Sequence, residues 1–251
     1  MQRNEPSRQT LKEENARLKK RIQELQQNEV RIRKVEETLR IISSRFVGVI
    51  DINKAINNSL ADMGKLTRAE RAHLFLLDED EKSMSNTHEW HVKELNPLKN
   101  NLQKLPLDGF PWWMGKLRNG ELVHAEDTSE MPSNAKTEKQ TLEELNIRSL
   151  LAFPVYIRKK LSGFIGFSDI SETKEWEKAD IQLLQTTSEI IGNALEYEQM
   201  KEQLKASEAH YRNIYNNIPV MLHSIDSEGK IIEVSNHWLE TTRYQRNEVN
   251  C

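Results

Sequence analysis

Apolar residues recur at every seventh position through the first part of the chain. The members of this column are Leu11, Leu18, Leu25, Ile32, Leu39 and Phe46. The residues between them are mostly charged or carry amides, so the apolar stripe is narrow. A narrow stripe with this period is typical of a helix that packs against a partner helix. The pattern therefore predicts a coiled-coil helix over residues 11–45, preceded by a disordered tail at residues 1–10.

A second column with the same period runs through the last part of the chain. Its members are Leu183, Ile190, Tyr197, Leu204 and Tyr211. They lie in a segment that reads as one helix from about residue 178 to residue 217. Together the two columns predict one folded body held between two long helices, which form a homodimer through both seams. The dimer could be parallel or antiparallel.

The residues that flank the first column change from one side of it to the other along its length. Asn15 and Ile22 flank it early, whereas Val35, Ile42 and Val49 flank it later on the other side. A change of flank implies a heptad discontinuity near residues 29–35, where the supercoil would change locally.

The segment between the two columns alternates strand and helix patterns. Apolar residues become denser from Phe46 to Leu66, which predicts that the first helix continues there and widens its face onto a core. Strands are predicted at residues 71–77, 83–92, 122–125, 149–157 and 161–168, and shorter helices at residues 110–117 and 135–145. Hairpins covered by helices indicate an α+β fold with an antiparallel sheet.

The composition limits the kinds of partner and the cellular compartment that we expect for this chain. The chain has 251 residues with 36 basic and 39 acidic side chains, for a net charge of -3. This balance argues against a nucleic-acid groove and against a basic membrane patch. No apolar run is long enough to insert in a membrane. The one cysteine, Cys251, excludes an internal disulfide framework and suits a reducing cytoplasm.

Residues 46–197 resemble a GAF domain of the type found in sensor histidine kinases. The resemblance rests on Phe110-Pro-Trp-Trp-Met114, Leu117-Arg-Asn-Gly-Glu121, Glu126-Asp-Thr-Ser-Glu-Met-Pro132, Ser149-Leu-Leu-Ala-Phe-Pro-Val155, Gly163-Phe-Ile-Gly-Phe167 and Asp180-Ile-Gln-Leu-Leu184 after Trp176. It implies a GAF-like antiparallel sheet flanked by helices. One departure is Glu177, where the family often has a Ser or Thr at the helix N-cap.

Residues 211–251 resemble the opening of a PAS domain, reached through a signalling-helix linker at residues 198–210. The matching segments are Tyr211-Arg-Asn-Ile-Tyr-Asn-Asn-Ile-Pro219, Ile225-Asp-Ser-Glu-Gly-Lys-Ile-Ile-Glu-Val-Ser-Asn236 and Tyr244-Gln-Arg-Asn-Glu-Val249. Arg243 stands where the family usually has Gly. Only the first two strands and helices are expected, so this PAS domain is incomplete. We expect either a truncated gene product or a fragment of a longer protein.

The GAF resemblance also implies a ligand pocket near the paired tryptophans. Adjacent helical residues point about 100° apart, so we expect one of Trp112 and Trp113 in the core and the other near a ligand. The further pocket candidates are Trp90, Phe75, Phe153, His124 and Asp127. The ligand itself is unknown, and a pocket without convergent polar groups would instead favour a dimerisation adaptor that binds no small molecule.

Known cofactors of such domains fit this chain poorly. No cysteine lies in residues 46–197, so a bilin cannot be attached covalently, and the segment Ala135-Lys-Thr-Glu-Lys-Gln140 does not match the cyclic-nucleotide signature. Haem would need a buried axial histidine, for which only His73 and His124 qualify, and we do not expect it. We expect no metal site at His88 and His91, because on a strand they would point to opposite faces as surface residues.

Motifs for catalysis are missing from the sequence. No histidine has the surroundings of a kinase phospho-acceptor, and there is no Gly-x-Gly or Gly-Gly for a nucleotide lid or a cyclase. We therefore expect a sensory relay module of a two-component system, with a downstream kinase or signalling protein as its partner. The alternatives are the input fragment of a histidine kinase and the dimerisation adaptor.

Overall fold

The computed structural model describes residues 8–48 and 51–249. The chain divides into two compact units, residues 1–195 and 196–251. The first unit contains α1 (Arg8–Arg45), α2 (Ile52–Thr67), β1 (Arg71–Leu77), β2 (Ser83–His91), β3 (Leu105–Pro106), α3 (Pro111–Arg118), β4 (Val123–Ala125), α4 (Lys136–Glu144), β5 (Ser149–Ile157), β6 (Lys160–Asp169) and the start of α5 (Lys178–Asn217). The predicted α+β fold, with a GAF-like antiparallel sheet and a long helix at each end, is confirmed.

The centre of the first unit is a six-stranded antiparallel sheet. Its strand order is β3-β2-β1-β6-β5-β4. Because successive side chains on a strand point to opposite faces, β1 and β6 contribute to two separate cores. One core holds Ala72, Leu74 and Phe167 together with buried residues of α1, α2 and α5. The other holds Phe75 and Phe164 together with residues of α3 and α4.

The first helix does not continue into residues 46–66 as expected. It ends at Arg45, a turn follows, and α2 starts at Ile52. Gly48 in this turn has φ of +63°, a conformation that favours glycine. The Asp51 side chain then caps α2 by accepting a hydrogen bond from the Lys54 N–H at 3.0 Å. Short-range cap chemistry thus overrides the continuous apolar pattern; Val49 and Ile50 lie outside the described residues.

The apolar column of α1 behaves differently in its two halves. Leu18, Leu25 and Ile32 are exposed, with 54% of Leu25 accessible to water. Leu39 and Phe46 instead pack against the first core, where the flanking residues Val35 and Ile42 are fully buried. In this half the stripe packs against the chain's own core, and its assignment to a dimer seam stays a prediction for the surface that Leu39 and Phe46 leave exposed. The Leu11 side chain lies outside the described part.

The column of α5 divides in the same way. Leu183 is completely buried, and Ile190 is half-buried where it packs against the first core. Tyr197 and Leu204, farther along, are exposed. A seven-residue period shows that one helix face is apolar, but it does not say whether the cover is the same chain or another.

An ion-pair cluster joins α1 to the start of α5. Arg31 Nη2 lies 2.5 Å from Asp180 Oδ1, and Arg31 Nε lies 2.8 Å from Glu177 Oε2. Asp180 is buried, and its other oxygen accepts a hydrogen bond from the Glu177 N–H at 3.1 Å. This is the arm of a capping box in which the third helical residue accepts the N–H of the N-cap, whereas a Ser or Thr at position 177 would accept the Asp180 N–H instead. The departure at Glu177 therefore leaves the start of α5 intact.

The second unit contains the end of α5 and a small hairpin. Its elements are β7 (His223–Ile225), β8 (Ile231–Val234), α6 (Asn236–Thr242) and α7 (Arg246–Val249). Tyr215 is buried and its hydroxyl donates to the Glu233 carbonyl at 3.1 Å. Arg243 ends α6 with φ of +64°, which explains why Gly would suit this position. Among the described residues, no helix is long and apolar enough to cross a membrane.

Two helical glycines give a matched test of this packing. A Cβ at Gly64 of α2 would lie 2.1 Å from Trp90 Cζ3, whereas a Cβ at Gly115 of α3 would meet nothing within 4 Å. Gly64→Ala should lower the free energy of unfolding by about 1–3 kcal/mol through overpacking. Gly115→Ala should raise it by about 0.5–1 kcal/mol, because alanine loses less entropy in a helix. Urea unfolding followed by circular dichroism measures both, and equal effects would contradict the packing described.

Candidate functional site

A cavity lies between the sheet and the layer formed by α3, α4 and the loop before β3. It is lined by Arg71, His73, Phe75, Met84, Asn86, Leu98, Leu102, Leu105, Phe110, Trp113, Thr141, Leu142, Leu145, Ile147, Leu150, Phe164 and Ser168. The space open to the centre of a water-sized sphere is about 60 Å³. If this space is treated as a sphere and its radius is increased by the radius of a water molecule, the cavity is about 7–8 Å across. This is the width of one aromatic ring.

Aromatic rings form one part of the cavity wall. Phe75 and Phe164 stack with their centroids 4.8 Å apart and their planes 10° apart. They are neighbours across β1 and β6, which places both rings on the same face. Trp113 from α3 meets Phe164 at 5.4 Å, and His73 meets Phe75 edge-on at 5.3 Å. This wall presents flat apolar surface to anything in the cavity.

A buried ion pair forms another part of the site. The Arg71 guanidinium pairs with the Glu89 carboxylate, and only 4% of Arg71 is exposed. Arg71 Nη2 also donates to the Asn96 carbonyl at 3.0 Å, while Glu89 accepts the N–H groups of Leu98 at 2.9 Å and Lys99 at 2.6 Å. The pair therefore fastens the loop that supplies Leu98 and Leu102 to the cavity. Both charges balance each other inside the protein.

Four buried polar atoms on the cavity residues have no hydrogen-bond partner in the protein. They are Arg71 Nε, Asn86 Oδ1, Trp113 Nε1 and Ser168 Oγ. A buried polar group without a partner is costly, so native proteins normally satisfy such atoms with protein, water or ligand. Arg71 Nε and Trp113 Nε1 can only donate, Asn86 Oδ1 can only accept, and Ser168 Oγ can do both. The open surface of the cavity is nevertheless almost entirely apolar, so these atoms lie behind it.

His73 lines the same cavity in its neutral form. Burial, reinforced by the nearby charge of Arg71, lowers the pKa of His73 from 6.5 to about 3. At neutral pH the ring therefore adds no charge. Gly166 faces it across the strand pair, and a Cβ there would come within 3.0 Å of His73 Nε2. The absence of a side chain at Gly166 thus gives the His73 ring its place.

The structure brings two of the seven expected pocket residues to the cavity, Phe75 and Trp113. Of the tryptophan pair, Trp113 is the cavity residue. Trp112 is half-buried and packs against the second core, and Lys116 Nζ lies 5.4 Å from its ring centroid. Trp112 does not line the cavity, because the helix turns it away from the wall that Trp113 forms.

The other four expected residues are elsewhere. Trp90 and Phe153 pack against the first core, on the opposite face of the sheet from the cavity. Their assignment to the pocket is wrong because strand parity sends them to that face. His124 is exposed, 3.7 Å from Glu126, and Asp127 caps a short 3-10 turn by accepting the Ser129 N–H at 2.8 Å. Neither of these two lines the cavity.

Sequence reasoning missed Arg71, Asn86 and Ser168 as cavity residues. The signal was present in β1, where Arg71, His73 and Phe75 alternate with Ala72 and Leu74. When a strand is buried on both faces, polar side chains that recur on one face indicate that this face contacts polar groups inside the protein. Ser168 and Asn86 could be added only through the strand register, which pairs Arg71 with Ser168 and Phe75 with Asn86.

The expected surface position of His88 is wrong. This ring is buried, with Nε2 2.9 Å from Asn53 Oδ1 and Nδ1 2.9 Å from Thr87 Oγ1. Burial, with a smaller effect of the Lys99 charge, lowers its pKa to about 4. His91 instead contacts the Val92 carbonyl at 2.8 Å. Within residues 8–48 and 51–249, no group of three or more His, Cys, Asp or Glu side chains is arranged to hold a metal ion.

Comparisons with known proteins agree with this architecture. A model of the GAF domain family matches residues 51–195. The methanogenesis regulatory histidine kinase FilI of Methanothrix harundinacea is 29% identical over 148 residues, which are 57% of this chain. The chain spans only 16% of that relative's length.

Two solved structures show the same fold. The phycocyanobilin-bound GAF domain of a cyanobacterial phytochrome is 16% identical with a TM-score of 0.57, covering 66% of this chain and 96% of its own. The GAF domain of a phosphoenolpyruvate-protein phosphotransferase of Coxiella burnetii is 14% identical with a TM-score of 0.57, covering 68% and 98%. At these identities the likeness concerns the fold alone.

The buried His73 predicts a dependence of stability on pH. Its folded pKa of about 3 lies below the unfolded value, so the unfolded chain binds more protons between about pH 6.5 and pH 3 and stability falls as pH falls through this range. Replacing it by His73→Gln should reduce the loss of unfolding free energy between about pH 7.5 and pH 5 by about 1–2 kcal/mol. Urea titrations at both pH values measure this.

The control for this test is Phe164→Leu, which disturbs the same cavity without removing a titrating group. It should lower stability at both pH values by similar amounts. If His73→Gln and Phe164→Leu show the same pH dependence as the parent chain, His73 is not the buried neutral base described here.

Proposed function

The chain belongs to the GAF domain family, and we propose that it is a cytoplasmic relay module of a two-component system that passes a small-molecule signal from its cavity to dimeric helices. The observation that carries this proposal is the two-sided sheet. Phe75 and Phe164 face the cavity, while their neighbours Leu74 and Ile165 pack in the core that contains residues of α1, α2 and α5. A ligand that moves β1 or β6 therefore acts directly on the packing of the helices.

The free energy that a ligand must supply to shift the helices is modest. A shift between two packings of helices needs a few kcal/mol of difference in ligand binding to the two states. The ion-pair cluster of Arg31 with Glu177 and Asp180 is one contact through which α1 is held to α5 in this arrangement. The heptad discontinuity expected near residues 29–35 includes Arg31, so the proposed switch point and this ion pair coincide.

The exposed apolar columns support dimerisation. Leu18, Leu25 and Ile32 of α1 are exposed, and the nearby Ile22 and Val30 are exposed as well. On the part of α5 in the second unit, Tyr197 and Leu204 are exposed, with 61% of Leu204 accessible. Exposed apolar side chains at a seven-residue spacing are typical of a seam for a partner helix. We assign these residues, rather than Leu39, Leu183 or Ile190, to the homodimer interface.

A second candidate follows from the similarity to a histidine kinase. We propose that the chain corresponds to the input region of a longer kinase, to which a catalytic partner would be joined or bound. The hairpin β7–β8 supports this, because Ile225 and Ile232 are exposed as they would be in an unfinished PAS sheet. We propose no catalytic activity for the residues present, in line with the missing phospho-acceptor motif.

The adaptor alternative is supported by the open surface of the cavity, which is almost entirely apolar. The polar atoms of Arg71, Asn86 and Ser168 that have no partner in the protein lie behind this surface and are not exposed to the open space. The sensory proposal therefore depends on the aromatic wall and the two-sided sheet, and the retained-ligand experiment below separates the two readings.

Charge placed in the exposed seam should separate the dimer. The double variant Leu18→Lys and Leu25→Lys puts two like charges in each proposed contact, so sedimentation should change from dimer to monomer at micromolar concentration. The circular dichroism spectrum and the thermal midpoint of the sheet domain should change little, because neither residue belongs to its core. The matched control is Gln23→Lys with Gln26→Lys, which adds the same charge beside the seam. A parent chain that sediments as a monomer would contradict the dimer.

Native mass spectrometry of the purified full chain tests the sensory role. We expect a retained small molecule or binding of one from a metabolite mixture, with the mass of one ligand per chain. Trp113→Ala should reduce the bound fraction several-fold because it removes part of the cavity wall, whereas Trp112→Ala, outside the cavity, should not. A chain that remains ligand-free in every mixture would favour the adaptor instead.

A further inference from the structure

We infer that the cavity between the sheet and the α3–α4 layer binds a small, uncharged, apolar molecule no wider than a single ring. A monocyclic aromatic hydrocarbon is the simplest member of this class. The inference rests on the proposed sensory function and goes further by defining the chemical class of its ligand. Three features of the cavity lead to it: the nature of its open surface, the position of its polar and charged groups, and its width.

The open surface of the cavity suits neither water nor a polar molecule. It is almost entirely apolar, and its space of about 60 Å³ is several times the roughly 10–15 Å³ that one water molecule needs. A buried water, however, needs about two to four polar partners, and cavities with apolar walls stay dry. Atoms that line an empty space lose their dispersion contacts on that side, and an apolar occupant restores contacts that water does not.

The polar groups around the cavity hold the loop that covers it. Arg71 Nη2 donates to the Asn96 carbonyl at 3.0 Å, and the Asn86 N–H donates to the Leu102 carbonyl at 2.8 Å. Both bonds fasten the segment that brings Leu98 and Leu102 to the cavity. The side-chain atoms Arg71 Nε and Asn86 Oδ1, which have no partner in the protein, are buried behind the apolar surface. A molecule in the open space therefore meets neither of these polar atoms.

The charges near the cavity disfavour an ionic ligand. The Arg71 guanidinium is already paired with the Glu89 carboxylate, which also accepts the N–H groups of Leu98 and Lys99. Burial lowers the pKa of His73 to about 3, so this ring is neutral at pH 7. Among the described lining residues, an anion would thus find no unpaired cation and a cation would find no carboxylate. Burial of an uncompensated charge costs far more than burial of a neutral ring.

The width of the cavity limits the ligand to one ring. The open space is about one aromatic ring across, as derived above. Its wall contains the stacked rings of Phe75 and Phe164 and the tilted ring of Trp113. Aromatic rings pack against one another with centroids about 4.5–7 Å apart, so a single ring gains contact with this wall. A ring with substituents on all sides would have to displace the wall, which includes Ile147.

Four probes built on one ring separate polarity, charge and width. Toluene has the proposed character, phenol replaces its methyl group by a hydroxyl, benzoate carries a charge, and mesitylene is apolar but wider. Their dissociation constants on the full chain are measured by ligand-detected NMR titration, after displacement of any retained molecule.

Toluene should bind most tightly of the four. We expect at least about a tenfold advantage over phenol, whose hydroxyl would lose its water without gaining a partner, and at least about a hundredfold advantage over benzoate. Mesitylene should bind at least about threefold more weakly than toluene, although its larger apolar area would favour it in an unrestricted site.

A matched pair of methyl deletions tests whether the probes occupy this cavity. Ile147→Val removes one methyl group from the cavity wall, whereas Ile165→Val removes one from the core on the opposite face of the sheet. Such changes are mild enough to keep both chains folded. Ile147→Val should strengthen mesitylene relative to toluene by about threefold because the space becomes wider, and Ile165→Val should leave this ratio at its parent value.

A third variant tests the position of the polar atoms. The Ser168 hydroxyl is buried without a partner and lies behind the open surface. Ser168→Ala should therefore keep the preference for toluene over phenol. A preference that changes in this variant would show that the hydroxyl faces the ligand, and it would overturn the apolar character of the site.

The outcomes distinguish the ligand class from the sensory role. Binding of phenol or benzoate as tight as that of toluene would overturn the apolar class, and a parent chain that prefers mesitylene would overturn the width limit. A mesitylene-to-toluene ratio that changes equally, or not at all, in both isoleucine variants would place the probes outside this cavity. If no probe binds while native mass spectrometry detects a retained molecule, the ligand class is wrong and the sensory proposal stands. If neither experiment detects a ligand, both proposals fail.

Discussion

The first unit depends on a sheet whose central strands are buried on both faces. Every second residue of β1 and β6 packs against α1, α2 and α5, and the residues between them face α3, α4 and the cavity. Apart from the exposed start of β6 at Lys160, a displacement of these strands therefore affects two packed layers, since protein interiors are close-packed and transmit small displacements. This constraint is the physical basis of the proposal that occupation of the small cavity changes the packing of the helices.

The Arg71–Glu89 pair gives the cavity its particular character. A buried ion pair adds little net stability on average, because the removal of two charges from water offsets their attraction. Here each partner also holds backbone groups of the loop at residues 96–99, so the pair positions a wall of the cavity. One guanidinium N–H remains without a partner. The same residue thus holds the loop and has a buried donor atom, Nε, with no partner in the protein.

The helical ends show why a periodic pattern needs tertiary information. A stripe at every seventh position is equally suited to a partner helix and to the helices of the same domain. In α1 the stripe serves both purposes in succession, because Ile42 is buried within the unit while Leu25 remains in water. The change occurs around Arg31, where the ion pairs to α5 begin. Only the exposed part remains a candidate for association, which makes the proposed seam shorter than the column itself.

The sequence by itself determined most of the elements, their order and the fold class, but not the break between α1 and α2 or the short β3. Local patterns sufficed for this, because alternation, turn residues and helix periods act over a few neighbours: the strand at residues 71–77 and the helix opened by Pro111 are found where they were predicted. Tertiary structure alone decided the site. Strand parity sent Trp90 and Phe153 to the opposite face, and register placed Ser168 beside Arg71 and Asn86 beside Phe75. Such neighbours are far apart along the chain, so no local pattern records which of their polar atoms the folded protein leaves unpaired.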